Sequence, residues 1–261
     1  MDDMNSVVTR REFLKMAGAA GAAAAVLAAA SRWPARSEAS SAVGESKHAW
    51  AMVIDQAKCI GCGYCTLACR ATNDVPPDIS WNTVEQVGEI GGQPVYQPRP
   101  CMHCEHPPCA EVCPVKATYR RGDGLVVMDY DRCIGCRYCQ VACPYGARSF
   151  NWKKFEGPNP AVPEWGEPEV PRRPRGVVEK CSFCIQRIDR GLEHGLTPGV
   201  HPAATPACVN ACPVGARVFG DLNDPESTVS RLLAENHPYR LRDEMGNEPR
   251  VYYLSKREET K

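Results

Sequence analysis

The chain is 261 residues long, and sixteen of these residues are cysteine. Lysine plus arginine and aspartate plus glutamate both number 31, so there is no electrostatic basis for binding nucleic acid. The length allows one large domain or two small ones with a buried core. Aromatic residues make up only 7% and prolines number 23, which indicates a loop-rich fold stabilised by disulfides, zinc or iron–sulfur clusters.

The N-terminal segment has the pattern of a twin-arginine export signal. Arg10 and Arg11 precede Glu-Phe-Leu-Lys and an alanine-rich apolar run over 16–30, which is too short and too weakly apolar for a stable membrane span. The twin-arginine export machinery moves folded proteins that already carry their cofactors. We therefore predict a signal peptide over 1–30, a linker over 31–47 and a periplasmic location. A basic end on a short helix is the alternative.

Two near-identical stretches of eleven residues carry the spacing C-x2-C-x2-C-x3-C. The first contains Cys59, Cys62, Cys65 and Cys69, and the second contains Cys133, Cys136, Cys139 and Cys143, followed by Pro144. This is the bacterial ferredoxin spacing for [4Fe–4S] ligation, in which three closely spaced thiolates hold one cluster and the fourth ligates a neighbouring cluster. A short strand over His48–Asp55 is predicted to lead into the first stretch.

Two further groups account for the other eight cysteines. They are a widened variant at Cys101, Cys104, Cys109 and Cys113, and a split group at Cys181, Cys184, Cys208 and Cys212. Sixteen cysteines in four groups of four match four cubane clusters with no remainder. A disulfide framework does not require such regular spacing, and a zinc site would explain the split group alone.

The segments between the cysteine groups have weaker signals. Residues 70–100 show little periodicity and are expected to form a long irregular connection. Residues 117–121 and 125–129 are predicted to pair as a β-hairpin about a Gly-Asp-Gly turn. The proline-rich segment 151–175 is predicted to be an extended loop, and its basic residues at 172–175 are typical of a docking feature.

Regular structure is predicted again towards the C-terminus. A short helix is expected over 185–191, ending at its last glycine, and a short strand over 217–219. A helix is expected from Asp224 as N-cap to about Asn236, because a proline at the first helical position is favourable. Residues 251–254 are predicted to form a last strand.

Internal repetition organises these elements. The same pattern, Cys-Pro-x-x-Ala, begins at Cys113, at Cys143 and at Cys212. The predicted fold class is α+β, with two nested dicluster modules of the bacterial ferredoxin type, long loops, short strands and short helices. The predicted division is a four-cluster domain at 48–222, with an outer module of 48–70 plus 176–222, an inner module of 98–150 and a proline-rich loop at 151–175, followed by a helix and strand tail at 223–261.

Several side chains next to the cysteines are candidates for adjusting cluster properties. The basic candidates are Lys58, Arg99, Arg132, Arg137 and Lys180, which either raise cluster potentials or are solvated surface residues. His103 and His106 are expected to be loop residues that tune a cluster, and Tyr64 and Tyr138 to pack against clusters. The sequence contains no nucleophile elbow, phosphate-binding glycine loop or paired catalytic carboxylates, so no substrate site or catalytic residue is predicted.

With these motifs the chain resembles the four-cluster iron–sulfur subunits of the dimethyl sulfoxide reductase superfamily. Exported members of that superfamily occur in polysulfide, tetrathionate and nitrite reductases and in sulfur-metabolism membrane complexes. The resemblance covers about 48–222 and the export signal, and the tail at 220–233 and 251–254 is also similar. It implies four [4Fe–4S] clusters, ligated by Cys59, Cys62, Cys65 and Cys212 (cluster 1), Cys101, Cys104, Cys109 and Cys143 (cluster 2), Cys133, Cys136, Cys139 and Cys113 (cluster 3), and Cys181, Cys184, Cys208 and Cys69 (cluster 4).

The resemblance also implies a function and partners. The chain would be a non-catalytic periplasmic subunit that carries electrons between an integral-membrane quinone-reactive subunit and a molybdopterin catalytic subunit of a respiratory complex. A second arrangement in the family joins the iron–sulfur subunit to a multihaem cytochrome c and a membrane quinone module. A free periplasmic ferredoxin shuttle and a non-redox metal or disulfide scaffold are further possibilities.

Overall fold

The computed structural model describes residues 46–255, so the predicted signal peptide with Arg10 and Arg11 lies outside the described residues. The strands are β1 (Trp50–Asp55), β2 (Thr83–Ile90), β3 (Gln93–Arg99), β4 (Thr118–Arg120), β5 (Val126–Met128), β6 (Ser149–Phe150), β7 (Val178–Glu179), β8 (Arg217–Asp221) and β9 (Val251–Leu254). The helices are α1 (Tyr64–Thr72), α2 (Pro108–Glu111), α3 (Tyr138–Ala142), α4 (Ile185–Glu193), α5 (Ala207–Asn210) and α6 (Thr228–Glu235), with 3-10 turns at Pro202–Ala204 and Asp243–Met245. Short helices and short strands connected by long loops agree with the predicted α+β class. No helix among these residues has the length and apolar character needed to span a bilayer.

A three-stranded sheet in the order β8-β1-β9 joins the two ends of the described chain. Strand β1 runs antiparallel to β8 and parallel to β9. Its side chains alternate between two apolar environments, because successive residues of a strand point to opposite faces. Met52 and Ile54 pack into a large core that contains six cysteines, whereas Ala51 and Val53 pack with Val229 of α6. The first predicted strand is therefore confirmed, and it is buried on both faces.

Two hairpins lie between the cysteine motifs. Strands β4 and β5 pair antiparallel with Thr118 opposite Met128, as predicted. The prediction of an irregular connection over 70–100 is wrong, because β2 and β3 form a longer hairpin there. Its turn is Gly91-Gly92, and both glycines have positive φ, as two-residue hairpin turns of type I′ require. The hairpin is an isolated pair of strands, and proline is tolerated at such an edge.

Two helix boundaries differ from the predictions. Helix α4 continues through Gly191 to Glu193, and Gly191 instead allows close packing, since a Cβ there would lie 2.3 Å from the Cβ of Ala204. Helix α6 begins at Thr228, with Ser227 as its N-cap accepting a hydrogen bond from the Ser230 N–H. The Asp224 carboxylate accepts from the backbone N–H of Glu226, so it caps a turn before the helix.

The proline-rich loop contains no helix or strand over 151–177 of the described chain, and one partly buried and one buried ion pair attach it to the protein. Arg172 donates two hydrogen bonds to the Asp74 carboxylate, at 2.9 and 3.1 Å. Arg173 pairs with Glu179 at 3.0 Å, and both side chains are almost fully buried. The Trp81 indole N–H also donates to Glu179, at 2.9 Å. Arg172 and Arg173 therefore hold the loop in place, whereas Arg175 is exposed and donates to the Trp152 carbonyl, and a docking role for 172–175 stays a prediction.

The Arg173–Glu179 pair gives a test of how strongly the loop is attached. Burial raises the pKa of Glu179, and Arg173 offsets that effect. Arg173→Met would leave a buried carboxylate without its charge partner, which typically costs about 3–5 kcal/mol. We expect the thermal midpoint of the anaerobically purified protein to fall by about 10 °C in circular dichroism.

The control for this prediction is Lys154→Met. Lys154 pairs with Glu156 at the surface, where both side chains are more than two-thirds exposed. Exposed pairs contribute roughly 0–1 kcal/mol, so this midpoint is expected to stay within about 2 °C of the wild type. Equal midpoints for the two variants would contradict the structural role of the buried pair.

Candidate iron–sulfur sites

Three of the four predicted cysteine sets each line a cavity, and we call each set a quartet. Quartet 1 is Cys59, Cys62, Cys65 and Cys212, quartet 2 is Cys101, Cys104, Cys109 and Cys143, and quartet 3 is Cys113, Cys133, Cys136 and Cys139. In each of these quartets three thiols come from one cysteine motif, and the fourth comes from another motif. The structure thus brings together the residues that the sequence analysis assigned to clusters 1, 2 and 3.

Quartet 4 consists of Cys69, Cys181, Cys184 and Cys208, all of them buried. Cys69 lies within electrostatic reach of the other three thiols. The side-chain amide of Asn73 donates to two of these sulfurs, at 3.7 Å from Cys69 Sγ and 3.6 Å from Cys184 Sγ. Helices α1 and α5, which carry Cys69 and Cys208, also pack against each other. The fourth predicted set is therefore assembled as well, although its members are far apart in the sequence.

The loops that carry the thiols depend on glycines in the left-handed region. Gly61 and Gly135 occupy equivalent places in the two eleven-residue stretches, with φ of +72° and +69°. A Cβ on Gly61 would lie 2.5 Å from the Tyr96 ring, and a Cβ on Gly135 would lie 2.1 Å from the carbonyl oxygen of Gly176. Glycine is required at both places because it permits this backbone conformation and this close approach.

The quartets follow one another in a row through the protein, in the order 1-4-2-3. Cys65 of quartet 1 interacts electrostatically with Cys208 of quartet 4. Cys181 of quartet 4 interacts with Cys101 of quartet 2. Cys109 of quartet 2 packs in one apolar cluster with Cys139 of quartet 3. The two quartets at the ends each contain an exposed cysteine, Cys62 in quartet 1 and Cys136 in quartet 3, whereas ten of the sixteen are buried.

The donor set of each quartet fits a [4Fe–4S] cluster. All sixteen cysteines are free thiols. Among residues 46–255, no three His, Cys, Asp or Glu side chains come close enough together to hold a single metal ion. The thiols of quartets 1, 2 and 3 each stand around a cavity, and a cubane takes one thiolate at each of its four irons.

Burial affects the protonation of these thiols. It raises the pKa of Cys181 to about 12, with a further contribution from Cys101, and it raises the pKa of Cys69 well above the ordinary value. Metal ligands must be deprotonated, so iron binding at these thiols has to displace protons. The buried quartets thus favour protonated thiols until a strong Lewis acid is bound.

Two functional candidates that the sequence analysis missed are the buried arginines Arg148 and Arg217. One Nη of Arg148 lies 3.1 Å from Cys109 Sγ, and one Nη of Arg217 lies 3.8 Å from Cys208 Sγ. Burial opposes the charged form of Arg148, but the neighbouring thiols, with Cys109 first, raise its pKa. Both arginines stand five residues after a cysteine in Cys-Pro-x-Gly-Ala-Arg, so the repeated pattern contained a signal for them.

Of the five basic residues singled out by their sequence positions, one is buried and four are partly or fully exposed. Lys180 is buried and donates to the backbone carbonyls of Val126 and Cys181. Lys58 and Arg132 are about half exposed, and each pairs with the aspartate three residues before it. Arg137 stacks over the exposed Trp152, 4.5 Å from the ring centroid.

The remaining basic candidate, Arg99, binds the Glu85 carboxylate and the Tyr145 carbonyl. His103 is fully buried and stacks on Phe183 at 3.8 Å, between the loops of quartets 2 and 4. His106, by contrast, pairs loosely with Glu248 at the surface, at 3.7 Å.

The two tyrosines of the eleven-residue stretches are both partly exposed. Tyr138 is 64% exposed at the surface of quartet 3. Tyr64 is 42% exposed and packs against Trp165 at 4.6 Å between ring centroids. Both rings therefore lie at the protein surface close to the exposed quartets.

Comparison with known proteins identifies the class of domain. Two family models described as 4Fe-4S dicluster domains match the chain, one at 93–157 and the other at 52–117 and 132–216. The chain is 46% identical over 222 residues to a Halobacterium salinarum protein named for the iron–sulfur subunit of a dimethyl sulfoxide reductase, covering 79% of each chain. It is 44% identical over 222 residues to a selenate reductase subunit of Mesobacillus selenatarsenatis, covering 79% of this chain and 72% of that one.

A third relative has a name that refers to a quinone. The iron–sulfur cluster-binding subunit of a menaquinone reductase from Nitratidesulfovibrio vulgaris is 42% identical over 243 residues, with 82% of this chain and 91% of that one covered. The chain is thus a 4Fe–4S protein of the dicluster class. It belongs to the family of iron–sulfur beta subunits of the dimethyl sulfoxide reductase superfamily.

Proposed function

We propose that the protein holds four [4Fe–4S] clusters, one in each quartet, and serves as the electron-transfer subunit of a respiratory oxidoreductase complex. The observation that carries this proposal is the convergence of sixteen free thiols into four sets of four. A bound cluster supplies reversible one-electron chemistry. The chain itself supplies the thiols, buries all four cysteines of quartet 4 and three of quartet 2, and leaves quartets 1 and 3 with an exposed cysteine each.

Ligand exchange between motifs supports the nested division into modules. Cys212 from the end of the split group lies with the first loop, and Cys69 lies with the split group, which joins the outer segments 48–70 and 176–222. Cys143 and Cys113 are exchanged within the inner segment 98–150 in the same way. We infer that 48–222 is one four-cluster domain in which the inner module is inserted into the outer one, with 151–175 as a connecting loop and 223–261 as the tail.

The position of Cys143 gives a sharp test of the ligand sets. Its sequence neighbours are the quartet 3 ligands, yet its side chain lines the cavity of quartet 2. Purified wild-type protein is expected to contain about sixteen irons and sixteen labile sulfides per chain. Cys143→Ser should reproduce the electron paramagnetic resonance changes of Cys104→Ser in quartet 2, and differ from Cys136→Ser in quartet 3.

A spectrum of Cys143→Ser that matched Cys136→Ser would contradict the exchange of ligands. An iron content near two clusters in the wild type would contradict the count of four. Protein that folded without iron and contained eight disulfides would overturn the electron-transfer function itself.

Exposed apolar side chains lie beside both end quartets and support partner binding there. Ile60 is 57% exposed beside quartet 1, and Ile134 and Val141 are 64% and 87% exposed beside quartet 3. Clustered exposed apolar side chains mark protein interaction surfaces. We propose that one end contacts a molybdopterin catalytic subunit and the other an integral-membrane quinone-reactive subunit. The reductase names of the relatives support membership of such a complex.

Affinity purification of the tagged chain from detergent-solubilised membranes tests the partners. Ile60→Asp and Val141→Asp are each expected to lower the yield of a different partner about tenfold, because a charge would be buried in an apolar contact. Val200→Asp is the control, since Val200 is 70% exposed and lies in a loop that lines none of the quartet cavities. A multihaem cytochrome c in place of the molybdopterin subunit would favour the second arrangement, and a chain that purified alone would indicate a free ferredoxin shuttle.

We propose a periplasmic location through the twin-arginine route, supported by Arg10 and Arg11 ahead of the apolar run. Replacing both arginines by lysine keeps the charge but removes the recognised pair. Cell fractionation should then find the protein mainly in the cytoplasm, with its clusters. Replacing Arg32 and Arg36 by lysine is the matched control, and it is expected to leave export unchanged. Normal export of the Arg10/Arg11 double variant would contradict this route.

A further inference from the structure

Among residues 46–255, three buried cationic side chains lack a carboxylate partner. Arg148 and Arg217 are each 3% exposed, and Lys180 is 1% exposed. Their hydrogen-bond partners within residues 46–255 are sulfur, hydroxyl, amide and carbonyl groups, and none is a carboxylate. An unpaired buried charge is strongly unfavourable, so these residues require a source of negative charge nearby.

Arg217 lies at the junction between quartets 1 and 4. Its side chain lines the cavity of quartet 1. One Nη approaches Cys208 Sγ of quartet 4 at 3.8 Å, and the other donates to the side-chain oxygen of Asn82 at 2.6 Å. Arg217 thus shares the cavity lining of quartet 1 with Cys65 and contacts Cys208 of quartet 4.

Arg148 has the corresponding position between quartets 2 and 3. It lines the cavity of quartet 2 and donates to Cys109 Sγ at 3.1 Å. Its other Nη contacts Thr118 Oγ1 at 3.2 Å and Met128 Sδ at 3.1 Å, and both of these residues line the cavity of quartet 3.

Lys180 occupies the middle junction, between quartets 4 and 2. Its Nζ donates to the carbonyl of Cys181, a member of quartet 4, at 2.7 Å. It also donates to the carbonyl of Val126, which lines the cavity of quartet 2. Each of the three junctions in the row 1-4-2-3 therefore contains one buried cation.

We propose that Arg217, Lys180 and Arg148 are potential-setting residues, each of which raises the reduction potentials of the two clusters on either side of it. This inference rests on the proposed function. A thiolate-ligated cluster is negatively charged and gains one further negative charge on reduction. A fixed positive charge stabilises the reduced form more than the oxidised form, and it does so strongly where water is excluded. Because each cation touches two sites, its effect is shared by a specific pair of neighbours.

The test is a redox titration of the purified full chain, followed by electron paramagnetic resonance. Quartet-specific variants such as Cys62→Ser, Cys184→Ser, Cys104→Ser and Cys136→Ser assign the signals. Arg217→Gln should then lower the potentials of clusters 1 and 4, Lys180→Met those of clusters 4 and 2, and Arg148→Gln those of clusters 2 and 3. At a fixed potential the reduced-to-oxidised ratio of each affected cluster should fall about tenfold, which is about 59 mV for a one-electron couple.

Two controls separate charge from structure. Arg132→Gln removes a cation next to Cys133 that is 45% exposed and paired with Asp129, so it is expected to change the ratio less than about twofold. Arg148→Lys keeps the charge and should restore most of the wild-type potential. All variants are compared at equal iron and sulfide content.

If Arg217→Gln does not retain its clusters, Asn82→Asp provides an isosteric alternative. The new carboxylate would sit against the Arg217 guanidinium and offset its charge, so clusters 1 and 4 should again shift downwards. Shifts smaller than twofold, or equal shifts of all four clusters, would overturn the inference. Fewer than four clusters in the wild-type protein would instead contradict the proposed function.

Discussion

The convergence of thiols from distant segments is the constraint on which the rest of the structure depends. The large core contains Cys65, Cys69, Cys101, Cys104, Cys181 and Cys208 among its buried side chains. Aliphatic and aromatic side chains such as Ile54, Leu125 and Phe183 pack in the same core as these thiols. In such a core the free energy of metal binding contributes directly to folding. The sheet β8-β1-β9 reinforces this closure, because it pairs the strand before the first motif with the strand after the last one.

Buried arginines have two distinct roles in this protein, and their partners distinguish them. Arg173 is paired with the Glu179 carboxylate, and it fixes the proline-rich loop against the core. Arg148 and Arg217 contact sulfur and neutral polar groups, and both follow the last cysteine of a motif by five residues. At the equivalent position after Cys113 stands Thr118, which accepts a hydrogen bond from Arg148. One repeated pattern thus supplies both a cation and a partner for it.

The sequence predicted the parts of the molecule that depend on local spacing. The eleven-residue stretches, the strand before Cys59 and the β4–β5 hairpin all have signals within a few residues. The β2–β3 hairpin was missed because residues 70–100 show little periodicity, although Gly91-Gly92 is a recognised hairpin turn. The roles of Arg172 and Arg173 could not be predicted, since their partners Asp74 and Glu179 are identified only by the three-dimensional fold.

Burial and the number of neighbouring cations both vary along the row of quartets. The more buried quartets have more cations beside them, and the two features act on cluster reduction in opposite directions. Quartets 4 and 2 are the most buried, and burial disfavours the more highly charged reduced state of a cluster. These same quartets each adjoin two of the three junction cations, whereas quartets 1 and 3 at the ends adjoin one each and include an exposed cysteine. Under the proposed function, the additional cation would offset the additional desolvation in the middle of the row. Such compensation would keep the inner potentials closer to those at the ends, as an arrangement that passes electrons in sequence requires.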